Sequence, residues 1–260
     1  MATSCISVSM YNLSLIITMK KTIIAGFLLL LCLGLRAAQK EDTFKTPGGK
    51  TVVIHHIKHA SVYIEYDGKH IYIDPVGEME PKTDFSLYPK ANVLMVTHEH
   101  FDHYDDLAMN KLVCERTAVY ANRTVRGKYT RGIAMVNGDS ITLSPDIRIW
   151  AVPAYNITEG REKFHPKGRD NGYILQLDGL RIYLAGDTED IPEMEALKNI
   201  DVAFLPCNQP YTMTVDQLVR AAKIIMPRVL FPYHYSDTPI NQVLLKLAGS
   251  GIDVRIRDYK

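Results

Sequence analysis

The chain predicts an α/β fold of two packed sheets with helices on the outside, and three observations carry that expectation. Strand signals fall into two runs, and each run leads into helices and further strands. Each run holds an Asp-Gly pair between segments rich in β-branched and aromatic residues, at Asp67-Gly68 and Asp178-Gly179, which signals a hairpin. The stretches "ANVLMVT" (91–97) and "DVAFLP" (201–206) are apolar without alternation, as strands covered on both faces are.

Taken in order, Lys20 and Lys21 precede an apolar run over 22–35 that ends at Arg36 and two alanines, the layout of a secretory leader. The run is short for a membrane span, which needs about 20 residues. Residues 1–38 are therefore expected to be a leader, with Met19 as the true start. Residues 39–49 read as a short N-terminal segment and 50–260 as one domain. The protein is then exported, periplasmic or secreted, with no stable span in its mature form. Removing the leader takes Lys20, Lys21 and Arg36 from 30 basic residues and nothing from 29 acidic ones, leaving 27 against 29. Such a balance lacks the basic surface that nucleic acid requires. Cys114 and Cys207 remain outside the leader, and both a disulfide and two buried thiols stay open for them.

Strands are expected at 51–57, 61–66, 70–75 and 91–97, then at 117–121, 132–136, 140–143 and 146–152. The segment 105–116 reads as a helix capped by Asp105 or Asp106, with Leu107, Leu112 and Val113 on one face. The second hairpin spans 172–187. After it come a helix at "IPEMEALKN", the strand "DVAFLP", the amphipathic helix "TVDQLVRAAKIIM" and the strand 228–235. A helix running from Thr238-Pro239 to Gly249 and a last strand, "IDVRIRD", complete the chain.

Functional residues gather in "THEHFDHYDD" (97–106), directly after a buried strand. Side chains two apart on extended chain point the same way, so His98 and His100 can share one metal. The chain then turns, and Asp102 and His103 face a second position beside the first. Histidine and carboxylate donors suit zinc, iron or manganese, and the lack of cysteine ligands argues against a closed structural zinc site. Asp187 follows Gly186 at one strand end and His234 closes another, so three strand ends meet one rim.

These residues, with "HASVYIE" (59–65), "IDP" (73–75), "AGDT" (185–188) and "PYHY" (232–235), resemble the metallo-β-lactamase fold hydrolases. The likeness covers about residues 50–258 and points to the branch of ascorbate-6-phosphate lactonase-like enzymes. It implies an αββα four-layer sandwich with two metals, most simply zinc. By resemblance, His98 and His100 serve the first metal, Asp102, His103 and His234 the second, and Asp187 bridges them. Where the family carries a further histidine, this chain has Tyr155, which leaves the first site one ligand short. His165 is the candidate replacement or a substrate contact. His59 matches a position near the site, and Asp74 resembles a buried aspartate that orients metal ligands. The expected chemistry is hydrolysis of an ester, lactone or phosphoester in a small molecule by a metal-bound hydroxide, with Asp102 relaying the proton and Tyr155 donating to the developing oxyanion. An iron-dependent redox enzyme and a non-catalytic binding relative stand as the alternatives.

Overall fold

Two seven-stranded sheets organise the chain, seen in a computed structural model that describes residues 40–259. The leader expected over residues 1–38 lies outside the described residues. The first sheet runs in chain order through β1 (Glu41–Lys45), β2 (Thr51–Lys58), β3 (Ser61–Tyr66), β4 (Lys69–Ile73), β5 (Val93–Val96), β6 (Ala118–Ala121) and β7 (Ile133–Ala134). The second is built from β8 (Ser140–Ser144), β9 (Ile147–Ala154), β10 (Asp170–Leu177) and β11 (Leu180–Leu184), followed by β12 (Val202–Pro206), β13 (Val229–Tyr233) and β14 (Asp253–Val254). Within each sheet the first four strands pair antiparallel, through the expected Asp-Gly hairpins, and the rest pair parallel. Among the described residues four α-helices complete the αββα sandwich: α1 (Asp106–Leu112), α2 (Arg123–Lys128), α3 (Val215–Ile225) and α4 (Asn241–Lys246).

The run 91–97 shows why a strand here has no polar side. Val93 and Met95 enter the main core with residues of both sheets. Leu94 and Val96 face the other way, against Ala108, Met109 and Leu112 of α1. Burying each such side chain stabilises the fold by roughly 1.5–3 kcal/mol, which fixes the register of β5 and so the position of the residues that follow it.

Several elements differ from expectation. Asp105 caps α1 by accepting from the Ala108 amide at 3.0 Å, but Leu107 is 59% exposed. The buried positions are 108, 109 and 112, and Leu107 falls outside that stripe. "IPEMEALKN" forms only a 3-10 turn at Pro192–Ala196, and the last helix starts after Ile240 and covers six residues. Helix α2, capped by Asn122, is too short to leave a periodic signal. Glu41–Lys45, within the expected N-terminal segment, is an edge strand paired with β2. Cys114 and Cys207 are both free thiols, and Cys207 is buried.

The edge strand is anchored by charge. Buried Asp42 accepts from Arg257 at 2.7 and 2.8 Å, from Arg255 at 2.9 Å and from His56 at 2.7 Å. Burial works against its ionised form, but the hydrogen bonds from His56 and Arg257 win and hold its pKa down at about 2. A carboxyl depressed in the folded state contributes stability above its unfolded pKa of 3.8 and loses it as pH falls toward the folded value. The stability advantage of the native chain over Asp42→Asn should therefore shrink by about 1 kcal/mol between about pH 5 and pH 3. Urea titrations of both proteins at the two pH values measure this, and a pH-independent difference would count against the ion pair.

Candidate metal centre

Five strand ends deliver the site, because parallel and alternate strands end on the same edge of a sheet. β2, β4 and β5 end in His59, Asp74 and the segment 97–103, while β11 and β13 lead into Asp187 and His234. The two edges are tied by backbone bonds: the His234 amide donates to the His59 carbonyl at 3.0 Å, and the Asn171 amide to Thr97 at 3.1 Å. His59, Asp74 and His234 all sit in the left-handed region, with φ of 46°, 46° and 49°. Each such residue costs roughly 1–3 kcal/mol, a strain that clusters at functional sites. Gly186 is needed for the same turn from β11: its φ is +65°, and an added Cβ would lie 2.8 Å from the Asn171 carbonyl.

The donors fall into overlapping groups whose ligand atoms lie within 4.8 Å of one another. His98, His100 and His165 form one, and His59, Asp102, His103 and His234 another. Asp187 stands between them, its carboxylate 3.1 Å from His103, 3.3 Å from His165, 3.3 Å from His234 and 3.9 Å from His98. His165, not Tyr155, is the residue that stands with His98 and His100 in the first candidate group. All of the six expected ligands converge, and His59 joins them with Nε2 3.2 Å from Asp102.

Carboxylates behind the ring orient the imidazoles. Asp74 receives the Nδ1 proton of His103 at 2.8 Å and is itself held by the Thr97 amide and hydroxyl, both at 2.7 Å. Asp170 does the same for His165 Nδ1 at 3.0 Å. Each partner fixes a tautomer and leaves Nε2 with its lone pair directed inward. His103 Nε2, His165 Nε2 and Asp187 Oδ1 are buried without hydrogen-bond partners. The 3.1 Å separation of His103 Nε2 and Asp187 Oδ1 is close enough for a bond but misaligned for one, as expected of two atoms aimed at a third. Orphaned buried acceptors of this kind are rare, and a divalent cation fits them.

The electrostatics agree. Burial opposes charge throughout, yet neighbouring histidines hold Asp187 and Asp102 well below the usual carboxylate range. Burial likewise opposes a charged His234, but Asp187 and Asp102 raise its pKa to about 9. His59, desolvated and beside His234, falls to about 4. The centre is thus a pair of carboxylates in a largely buried ring of imidazoles.

Tyr155 does not line the cleft: its hydroxyl donates to Glu193 at 2.7 Å and accepts from Lys167 at 3.0 Å, partners other than the oxyanion expected for it. Its backbone instead braces the Asp187 turn, with the Tyr155 amide donating to Thr188 and its carbonyl accepting from the Glu189 amide. Sequence reasoning also missed two supports, Asp170 and Lys58. Buried Lys58 donates to the carbonyls of Gly77, Met79 and Pro81, while Asp105 accepts from the Gly77 amide at 2.8 Å. Together they fold the 77–81 loop against the cleft, where Met79 forms part of the wall.

The model of the beta-lactamase superfamily domain matches residues 53–234, a span that runs from β2 to His234. A UPF0173 metal-dependent hydrolase of Pyrococcus furiosus is 31% identical, over 70% of this chain and 83% of its own. A solved structure from Parabacteroides distasonis, assigned as a metal-dependent hydrolase, is 50% identical with a TM-score of 0.82, covering 85% of this chain and 99% of that one. Igni18, a metallo hydrolase of Ignicoccus hospitalis, is 27% identical with a TM-score of 0.67, covering 80% and 96%. These matches reach the superfamily and its hydrolase character, not the narrower lactonase-like branch.

Proposed function

The chain belongs to the β-lactamase superfamily as a metal-dependent hydrolase, and from that premise we propose that it is an exported enzyme that hydrolyses an ester-, lactone- or phosphoester-type bond in a small molecule. The convergence of His103 Nε2, His165 Nε2 and Asp187 Oδ1, buried and unpartnered, carries the reading. His98, His100 and His165 would hold one cation, and His59, Asp102, His103 and His234 a second, with Asp187 between. Nitrogen-rich donors of this kind favour zinc, with manganese or iron as substitutes. A bound pair would lower the pKa of water toward about 7 and polarise the scissile carbonyl or phosphoryl oxygen.

The chain's own groups do the rest. Asp102 is the candidate ligand carboxylate nearest solvent, 18% exposed, and lies 3.2 Å from His59 Nε2 and 3.3 Å from His234 Nε2, which places its carboxylate at the cleft floor to orient the attacking water. Asp74 and Asp170 hold the imidazoles in register. Export rests on the basic-apolar pattern of residues 20–38; no described helix is long and apolar enough to cross a membrane.

Purified protein should carry transition metal by elemental analysis and hydrolyse at least one of an aryl ester, a lactone and a phosphodiester. Chelation should abolish that turnover and zinc restore it. Metal-replete protein inert on all three would remove the proposal.

A further inference from the structure

Around the mouth of the centre stand apolar side chains that metal binding does not explain. The cleft, about 680 Å³, is walled by Met79, Phe101, Phe164 and Tyr211, contributed by four separate loops. Phe101 is 80% exposed and Tyr211 45% exposed. Phe164 packs edge-on against Tyr211 at 5.1 Å, which gives the wall a fixed aromatic face. Leaving such rings in water is unfavourable, and exposed apolar surface beside a pocket marks a ligand contact.

The charges point the same way. Arg169 lies near His100, but its guanidinium is already used by Asp170 at 2.7 and 2.8 Å, by the Phe164 carbonyl and by Glu99. Among the described residues lining the cleft, Lys128 is the one lysine or arginine. Beyond the cations that the donor groups would hold for the reacting bond, this leaves a single side-chain cation for the rest of the substrate, which favours an uncharged group there. The remaining polar contact is neutral: Asn208 donates to Ser236 at 3.2 Å, an amide-hydroxyl pair suited to a carbonyl or hydroxyl.

We propose that the substrate is an uncharged carboxylic ester with an extended apolar or aromatic acyl group, and that Phe101 and Tyr211 determine this specificity by gripping that group; this rests on the hydrolase reading above. In the reaction the oxygen of water bonds to the acyl carbon and the acyl C–O bond breaks. One proton of water passes to the leaving oxygen, so ester and water give acid and alcohol.

The test uses the zinc-loaded full-length mature protein and p-nitrophenyl esters of acetate and octanoate, with bis-p-nitrophenyl phosphate beside them. The octanoate ester should exceed the acetate ester at least tenfold in kcat/KM. In Phe101→Ala/Tyr211→Ala that ratio should fall below threefold, chiefly through KM for the long ester, with metal content unchanged. Calorimetry supplies a readout independent of turnover: octanoate should bind the native protein at least tenfold more tightly than acetate, and the double variant should lose that preference. Turnover of the phosphodiester with no preference for the long ester would overturn this proposal while leaving hydrolysis intact. Inertness on all substrates would overturn the hydrolase reading, and equal binding of the two acids would then overturn this one as well.

Discussion

Asp187→Ala should lower turnover by about 10³ or more and strip most of the bound metal, with the fold retained. The expectation follows from position. This carboxylate touches members of both donor groups, within 3.3 Å of three histidines and 3.9 Å of a fourth, and is almost fully buried. Changing a partner that merely orients a ligand costs about 10–100-fold, so removing the shared ligand costs more. It also removes the charge that favours cation binding and that raises His103 and His234, so the variant's imidazoles lose their main anionic neighbour. Elemental analysis with circular dichroism separates metal loss from unfolding. A variant with full metal and near-native rate would show that Asp187 is no ligand.

His165→Ala should remove about one of two metal equivalents and reduce activity about 100-fold, whereas Tyr155→Phe should change metal content little. The contrast discriminates between the residue that occupies the expected sequence position and the residue that reaches the site. His165 is buried, held by Asp170 and aimed at Asp187; the Tyr155 hydroxyl is spent on Glu193 and Lys167. Metal-to-protein ratios of the two variants decide it. Full occupancy in His165→Ala, with the loss falling on Tyr155→Phe instead, would reverse the assignment.

The candidate ligands within 98–103 were legible because they lie next to one another in the chain, directly after a strand whose unbroken apolarity marks burial. Asp187 and His234 were legible for a related reason, since each follows an apolar strand that could only end at a sheet edge. His165 was open to suspicion but not to placement. It rides on the loop between β9 and β10, and its reach depends on Asp170 at the start of β10 and on the Tyr155, Lys167 and Glu193 contacts that close that loop. Lys58 falls just past the strand expected at 51–57 and carries no signal of its own, and only the three carbonyls it gathers reveal its role.

Local order along the chain determined the two-sheet class, the hairpins and most of the candidate metal ligands, because hydrophobic period and turn chemistry act over a few residues. Tertiary structure alone decided which histidine completes the first group, where Tyr155 points, and that His59, Asp74 and His234 occupy left-handed backbone. Those outcomes depend on contacts between residues far apart in sequence, such as the His59–His234 backbone bond that joins the two sheets. No short-range pattern encodes a distance of that kind.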